Sequence, residues 1–151
     1  MAALLEGILL VEDNPDDAIL TVRAFKRSNL LHPIFVVQDG VEALDFLFAR
    51  GDFAYRAGTP LPKLVVLDLK LPRLDGFGVL KAIRADRRTR LMPVVILTSS
   101  GEEQDLISGY ALGANSYLLK PIDFETFVET ARVVGNYWLT LNQPAPAPTT
   151  P

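Results

Sequence analysis

Leu64-Val65-Val66-Leu67-Asp68-Leu69-Lys70-Leu71-Pro72 is the stretch that decides the fold. Its first four residues are apolar without polar alternation, as in a parallel-sheet strand covered on both faces. The run ends in a carboxylate. A charge set directly after a buried strand needs a partner or a metal, so Asp68 is either a costly accident or a working group. The arrangement occurs once before, where Ile8-Leu9-Leu10-Val11 runs into Glu12-Asp13. If these strands are parallel neighbours, three carboxylates meet at one edge of one sheet.

Three further apolar runs complete the set: Ile34–Val37, residues 94–97, and the shorter, more mixed Ser116–Leu119. The first two of these are also expected to be covered on both faces. Segments of helical period lie between the runs. Residues 15–29 carry Ala18, Ile19, Val22 and Phe25; residues 40–49 carry Val41, Leu44 and Leu47. Residues 75–84 carry Phe77, Leu80 and Ile83; residues 102–112 carry Leu106, Ile107 and Tyr110. The last, 123–139, carries Phe127, Val128, Ala131, Val134 and Trp138. Asn14 before Pro15, Asp75 before Gly76, and Asp123 supply helix starts. Strand then helix, five times over, predicts an α/β fold: a five-stranded parallel doubly wound sheet with helices on both faces. Right-handed crossovers then bring every strand C-terminus to one edge, where ligands of such sheets bind. Glu12, Asp13, Asp68, Thr98 and Lys120 all fall there.

The chain has 151 residues, 49% of them hydrophobic and 22% charged, with a net charge of -3. That suits one globular domain and lacks the basic footprint of a nucleic-acid binder. With no cysteine, disulfides, thiolate metal sites and cysteine nucleophiles are excluded. No Lys or Arg precedes Arg23, and the first apolar stretch runs into acid, so it is not a signal peptide. No run approaches the roughly 18 apolar residues of a membrane span. The expectation is a cytoplasmic protein with neither nucleic acid nor membrane as partner. Residues 1–6 are expected as an N-terminal extension, 7–142 as the domain, and 143–151 as a Pro-rich flexible tail. Residues 50–62 form a long connection rich in Gly and Pro.

Glu12, Asp13 and Asp68 together make a hard, all-oxygen site that suits Mg²⁺. Like charges about 4 Å apart repel by roughly 4 kcal/mol at an effective dielectric near 20, and a divalent cation relieves this. Lys120 can neutralise a carboxylate at rest and a phosphoryl oxygen when one is present. Thr98 can offer that oxygen a hydroxyl. Asp68 can serve as a nucleophile and form an acyl phosphate.

These residues stand in four ordered motifs: Leu9-Leu10-Val11-Glu12-Asp13-Asn14; Leu67-Asp68-Leu69-Lys70-Leu71-Pro72-Arg73-Leu74-Asp75-Gly76; Pro93-Val94-Val95-Ile96-Leu97-Thr98-Ser99-Ser100; and Gly113-Ala114-Asn115-Ser116-Tyr117-Leu118-Leu119-Lys120-Pro121. In this the chain resembles the receiver domain of two-component response regulators, with a flavodoxin-like fold, over roughly residues 7 to 140. The resemblance implies that Asp68 is the phosphoacceptor, supplied by a sensor histidine kinase. Glu12 and Asp13 match the acidic pair around Mg²⁺, and the backbone carbonyl of Lys70 matches a third protein ligand beside Asp68. Thr98 matches the switch hydroxyl, Lys120 the family's lysine and Tyr117 the aromatic switch. The Lys120–Pro121 bond is typically cis in that family. Output is implied to pass through the surface of the fourth helix, fifth strand and fifth helix.

The long connection before the acceptor strand and the ending Asn136-Tyr137-Trp138-Leu139 are narrower cues. They resemble single-domain regulators that pair with bacterial and cyanobacterial phytochromes. This implies a homodimer through the fourth helix, fifth strand and fifth helix, with Tyr137 and Trp138 near the contact. Two positions depart from the common pattern: the acidic pair is Glu-Asp, and Lys70 puts a cation two residues after the acceptor.

Plainer readings stand beside these. Asp13 alone would be a helix cap, Thr98 a turn and Lys120 a surface lysine. Tyr137 and Trp138 fit an interface and their own core equally well. His32 reads as a loop residue, and Arg84, Arg87, Arg88 and Arg90 as a solvated helix end. Two other functions compete with a non-enzymatic phosphorylation switch. An aspartate-nucleophile phosphatase of the haloacid dehalogenase type needs a second acid where Lys70 stands. A receiver-like module that never takes phosphate ranks last, because acceptor, acids and lysine are all present.

Overall fold

The computed structural model describes residues 6–146. The strands are β1 (Ile8–Val11), β2 (Ile34–Val37), β3 (Leu64–Leu67), β4 (Val94–Thr98) and β5 (Ser116–Leu119). The helices are α1 (Pro15–Arg27), α2 (Gly40–Phe48), α3 (Gly76–Ala85), α4 (Glu103–Ala111) and α5 (Phe124–Asn136). All strand pairs are parallel, in the order β2-β1-β3-β4-β5. This is the doubly wound, flavodoxin-like sheet that the alternation of elements predicts.

Alternate strand residues feed two apolar layers, as a pleated strand requires. Leu9, Val11, Val65, Leu67, Val94 and Ile96 face one layer with Leu44 and Leu47 of α2 and Leu80 and Ile83 of α3. Ile8, Leu10, Leu64, Val66, Val95 and Leu97 face the other with Ala24 and Phe25 of α1 and Phe127 and Ala131 of α5. Three expected helix starts are capped by side chains. Asn14 accepts from Asp16 N and Asp17 N, Asp75 from Gly78 N, and Asp123 from Thr126 N.

Several expectations are corrected. β2 is an edge strand and is not covered on both faces: Phe35 and Val36 are 36% and 42% exposed. The Phe35 ring instead leans on Phe46 at 5.2 Å, and the Arg56 guanidinium stacks 3.6 Å above Phe46. Arg56 comes from a 3₁₀ segment, Gly51–Arg56, inside the long connection. The last helix stops at Asn136 and continues as one π-helical turn, Tyr137–Leu141. Trp138 there packs on the α1/α5 layer, while Tyr137 is exposed. Arg84 is no solvated helix end. It donates to Gly113 O, Met92 O and Arg90 O and to Asn115 Oδ1, tying two loops together. No peptide bond among the described residues is cis, so Lys120–Pro121 takes the ordinary trans form. Residues 1–5 of the expected extension and 147–151 of the expected tail lie outside the described residues. Among the described residues no helix is long and apolar enough to cross a membrane.

Candidate functional site

Register places the site. Val11 pairs with Leu67, so the residues that follow them, Glu12 and Asp68, sit side by side on adjacent strands. The ladder runs on past the strand ends through Asp68 N to Val11 O at 3.1 Å and Glu12 N to Val37 O at 3.0 Å. Thr98 is the last residue of β4, one place earlier in the edge than expected, and Lys120 N bonds its carbonyl at 2.9 Å. The turn from β3 into α3 is tight. Gly76 N donates to Leu69 O at 2.8 Å, and a Cβ on Gly76 would lie 2.3 Å from Asp68 O. Only glycine fits so close to the end of the acceptor strand.

Glu12, Asp13 and Asp68 come together as expected, each with one carboxylate oxygen within 4.8 Å of the others. Glu12 and Asp68 are buried and Asp13 is exposed. Lys120 lies over them, with Nζ 2.6 Å from Glu12 Oε1 and 2.9 Å from Asp68 Oδ2. The remaining oxygens are also bonded: Asn14 N donates to Glu12 Oε2 at 3.2 Å, and Leu69 N to Asp68 Oδ1 at 2.7 Å. Thr98 is buried, and its hydroxyl oxygen accepts from Ser100 N at 3.4 Å. Tyr117 is half-buried at the next strand, and its hydroxyl donates to Ser100 O at 2.8 Å. Ser100 Oγ in turn donates to Asp105 Oδ2 at 2.6 Å. The Lys70 side chain is exposed.

Asp17 is the residue that sequence reasoning missed. Its Oδ2 is 2.8 Å from Lys120 Nζ, so the ammonium has three carboxylate partners. An acid in the first turn of a helix already has an explanation in the helix dipole. The available signal was its place one turn into a helix that starts at the site.

Burial divides the two buried acids. Desolvation lifts Glu12 to about 7, against the pull of Lys120 and with added repulsion from Asp68. Desolvation also pushes Asp68 up, but the hydrogen bond and charge of Lys120, with Glu12 and Thr98 close by, outweigh it and hold Asp68 below its ordinary range. Burial opposes the charge on Lys120, and its bonds to Asp17, Glu12 and Asp68 more than compensate, so its pKa is raised. The proton therefore prefers Glu12, and Asp68 stays ionised with its lone pairs available. Three carboxylate oxygens in reach of one point are a hard donor set of the kind Mg²⁺ selects, with charge to spare after Lys120.

A parallel α/β sheet with an acidic trio and a lysine at its C-terminal edge is the architecture of a signalling receiver. The family described as "Response regulator receiver domain" matches residues 8–132. The chain belongs to that family. It is 43% identical over 141 residues to "Probable methanogenesis regulatory protein FilR2" of Methanothrix harundinacea, covering 93% of this chain and 88% of that one. It is 36% identical over 139 residues to "Response regulator Rcp1" of Synechocystis, covering 91% and 92%. The structure of Mn²⁺-bound Rcp1 superposes with a TM-score of 0.82 over 93% of this chain and 99% of that one, at 33% identity. The phosphorylated cyanobacterial phytochrome response regulator RcpA superposes with a TM-score of 0.85 over 94% and 99%, at 32% identity. The chain is thus a response regulator related to those of phytochromes. Receiver domains bind Mg²⁺ or Mn²⁺ at an acidic pocket of this kind, and their partners are sensor histidine kinases.

Proposed function

We propose that this protein is a phosphorylation-dependent switch that accepts a phosphoryl group on Asp68. The observation that carries the reading is Asp68 itself: buried, held ionised, beside Glu12 and Asp13, and bonded to Lys120 at 2.9 Å. In the transfer, a carboxylate oxygen of Asp68 forms a bond to phosphorus as the bond from phosphorus to the donor's histidine nitrogen breaks. The nitrogen keeps the electron pair, and Asp68 becomes an acyl phosphate. Lys120 and the Thr98 hydroxyl hydrogen-bond the phosphoryl oxygens. Glu12, Asp13, Asp68 and the backbone carbonyl of Lys70 are the groups that would hold Mg²⁺. Bound there, the ion neutralises charge on the transferring group.

The donor is a sensor histidine kinase, and the likeness to the phytochrome response regulator RcpA points to a phytochrome as its input module. Output runs through Thr98 and Tyr117 to the α4-β5-α5 face. That face carries exposed Ile107, Tyr110, Leu119, Val133 and Tyr137, which suits a homodimer contact. Residues 7–142 act as the receiver domain, the protein works in the cytoplasm, and it turns over no substrate of its own. The dehalogenase-type alternative is disfavoured because Lys70, not an acid, follows two residues after Asp68. Intact mass after incubation with Mg²⁺ and acetyl phosphate tests the reading. A gain of one phosphoryl in wild type but not in Asp68→Asn is expected. No gain in wild type that still binds Mg²⁺ would instead favour a phosphate-independent interaction module.

A further inference from the structure

We propose that Asp17 is a positioning residue that holds Lys120 back from an incoming phosphoryl group and so slows phosphoryl capture. The proposal rests on the switch reading above and extends it to a residue outside the acidic trio. An ammonium has three N–H donors. Those of Lys120 face Glu12 Oε1 at 2.6 Å, Asp17 Oδ2 at 2.8 Å and Asp68 Oδ2 at 2.9 Å, so the donor set is full at rest. A phosphoryl oxygen can gain Lys120 only by displacing one of these carboxylates.

Asp17 is the partner at the mouth of the site. Its side chain is 36% exposed, against 3% for Glu12 and 9% for Asp68. It is also firmly presented. Its N–H is bonded by Asn14 Oδ1 at 3.0 Å, and its carbonyl accepts from Thr21 Oγ1 at 2.7 Å. Asp17 stands apart from the Glu12–Asp13–Asp68 group whose oxygens converge, so its one named role is toward the ammonium. It opposes capture in two ways. It competes for the N–H that a phosphoryl oxygen needs, and it adds a negative charge facing an anionic donor.

The test uses beryllium fluoride with Mg²⁺ as a phosphoryl mimic on the whole chain. Asp17→Asn keeps the shape and removes the charge. Its dissociation constant for the mimic is expected to fall about fivefold, the effect of losing one partly exposed charge pair. Asp17→Glu should return the constant toward wild type. Asp16→Asn removes the same charge from the neighbouring exposed position and should leave it unchanged. A constant unchanged or raised in Asp17→Asn overturns the proposal. So does equal tightening in Asp16→Asn, which would make the effect one of charge alone.

A second readout needs no mimic. The Lys120 Nζ protons should exchange with water faster in Asp17→Asn than in wild type, as measured by NMR; equal rates overturn the hold. If wild type takes no beryllium fluoride while the exchange difference persists, the switch reading fails, and the braking role fails with it.

Discussion

Replacing Lys120 by Met keeps the apolar stem and removes an ammonium bonded to three carboxylates. Glu12 and Asp68 are only 3% and 7% exposed. Removing one partner from a buried ion pair costs about 3–5 kcal/mol. Asp17 is partly exposed and rehydrates, so it adds little. The lower bound, about 3 kcal/mol, corresponds to a fall in Tm of roughly 6–12 °C for a domain of this size. Urea unfolding across pH separates this from a loss of packing. Glu12 has a folded-state pKa near 7, above its ordinary 4.5. Its contribution to stability is therefore complete below 4.5 and is lost as pH rises through 7. Without Lys120 the pull that lowers Glu12 disappears, and its pKa climbs further. The deficit of Lys120→Met should thus be widest at about pH 8 and narrow toward about pH 5.5, where Glu12 takes up a proton. Asp68, held below its ordinary 3.8, loses its contribution only as pH falls under that value, outside the window. Millimolar Mg²⁺ should close part of the gap at the upper end. A variant as stable as wild type at the upper pH, or a deficit that ignores pH, would refute the reasoning.

Other substitutions probe neighbouring parts. Asp13→Asn removes the exposed member of the trio, so metal-free stability should stay within about 0.5 kcal/mol while the rise in Tm on adding Mg²⁺ shrinks; an undiminished rise takes Asp13 out of the cation set. Gly76→Ala sets a Cβ against Asp68 O and Leu69 Cα, at 2.3 and 2.7 Å. It should cost about 1–3 kcal/mol in urea unfolding, and an unchanged midpoint contradicts the close approach. Arg84→Met leaves the carbonyls of Gly113 and Met92 without their guanidinium donor. A loss of about 2–3 kcal/mol is expected, and a surface-like effect under about 0.5 kcal/mol would refute the clamp.

The strands and the site were legible for one physical reason. A parallel sheet buries its strands on both faces, which leaves unbroken apolar runs, and it gathers their C-termini at one edge. Glu12, Asp13, Asp68 and Lys120 could therefore be placed together from sequence. Ile34–Val37 looks like the inner strands because its composition does not reveal that β2 is outermost. Arg84 looked solvated because its acceptors lie on loops up to 31 residues away and become neighbours only in the fold. Asp17 was hidden by a sufficient local explanation, and the turn at Tyr137–Leu141 by a helical period that continues through it. Thr98 fell inside its strand because the ladder continues to Leu119.

The Arg84 clamp also bears on how α4 can move. Its guanidinium grips Gly113 O just past the C-terminal end of the helix, on the side of the sheet away from the acidic cluster. At the other end α4 has no side-chain cap, the Ser100 Oγ to Asp105 Oδ2 bond at 2.6 Å ties its first turn to the strand edge, and along its length only Gly109 is buried. A rod pinned at its foot and lightly seated elsewhere swings more readily than it slides. Displacement of α4 is cheapest at its N-terminus, beside Ser100 and the Tyr117 hydroxyl. A small change at the strand edge would thus be geared into a larger sweep of the helix's exposed side, with Arg84 as the fulcrum.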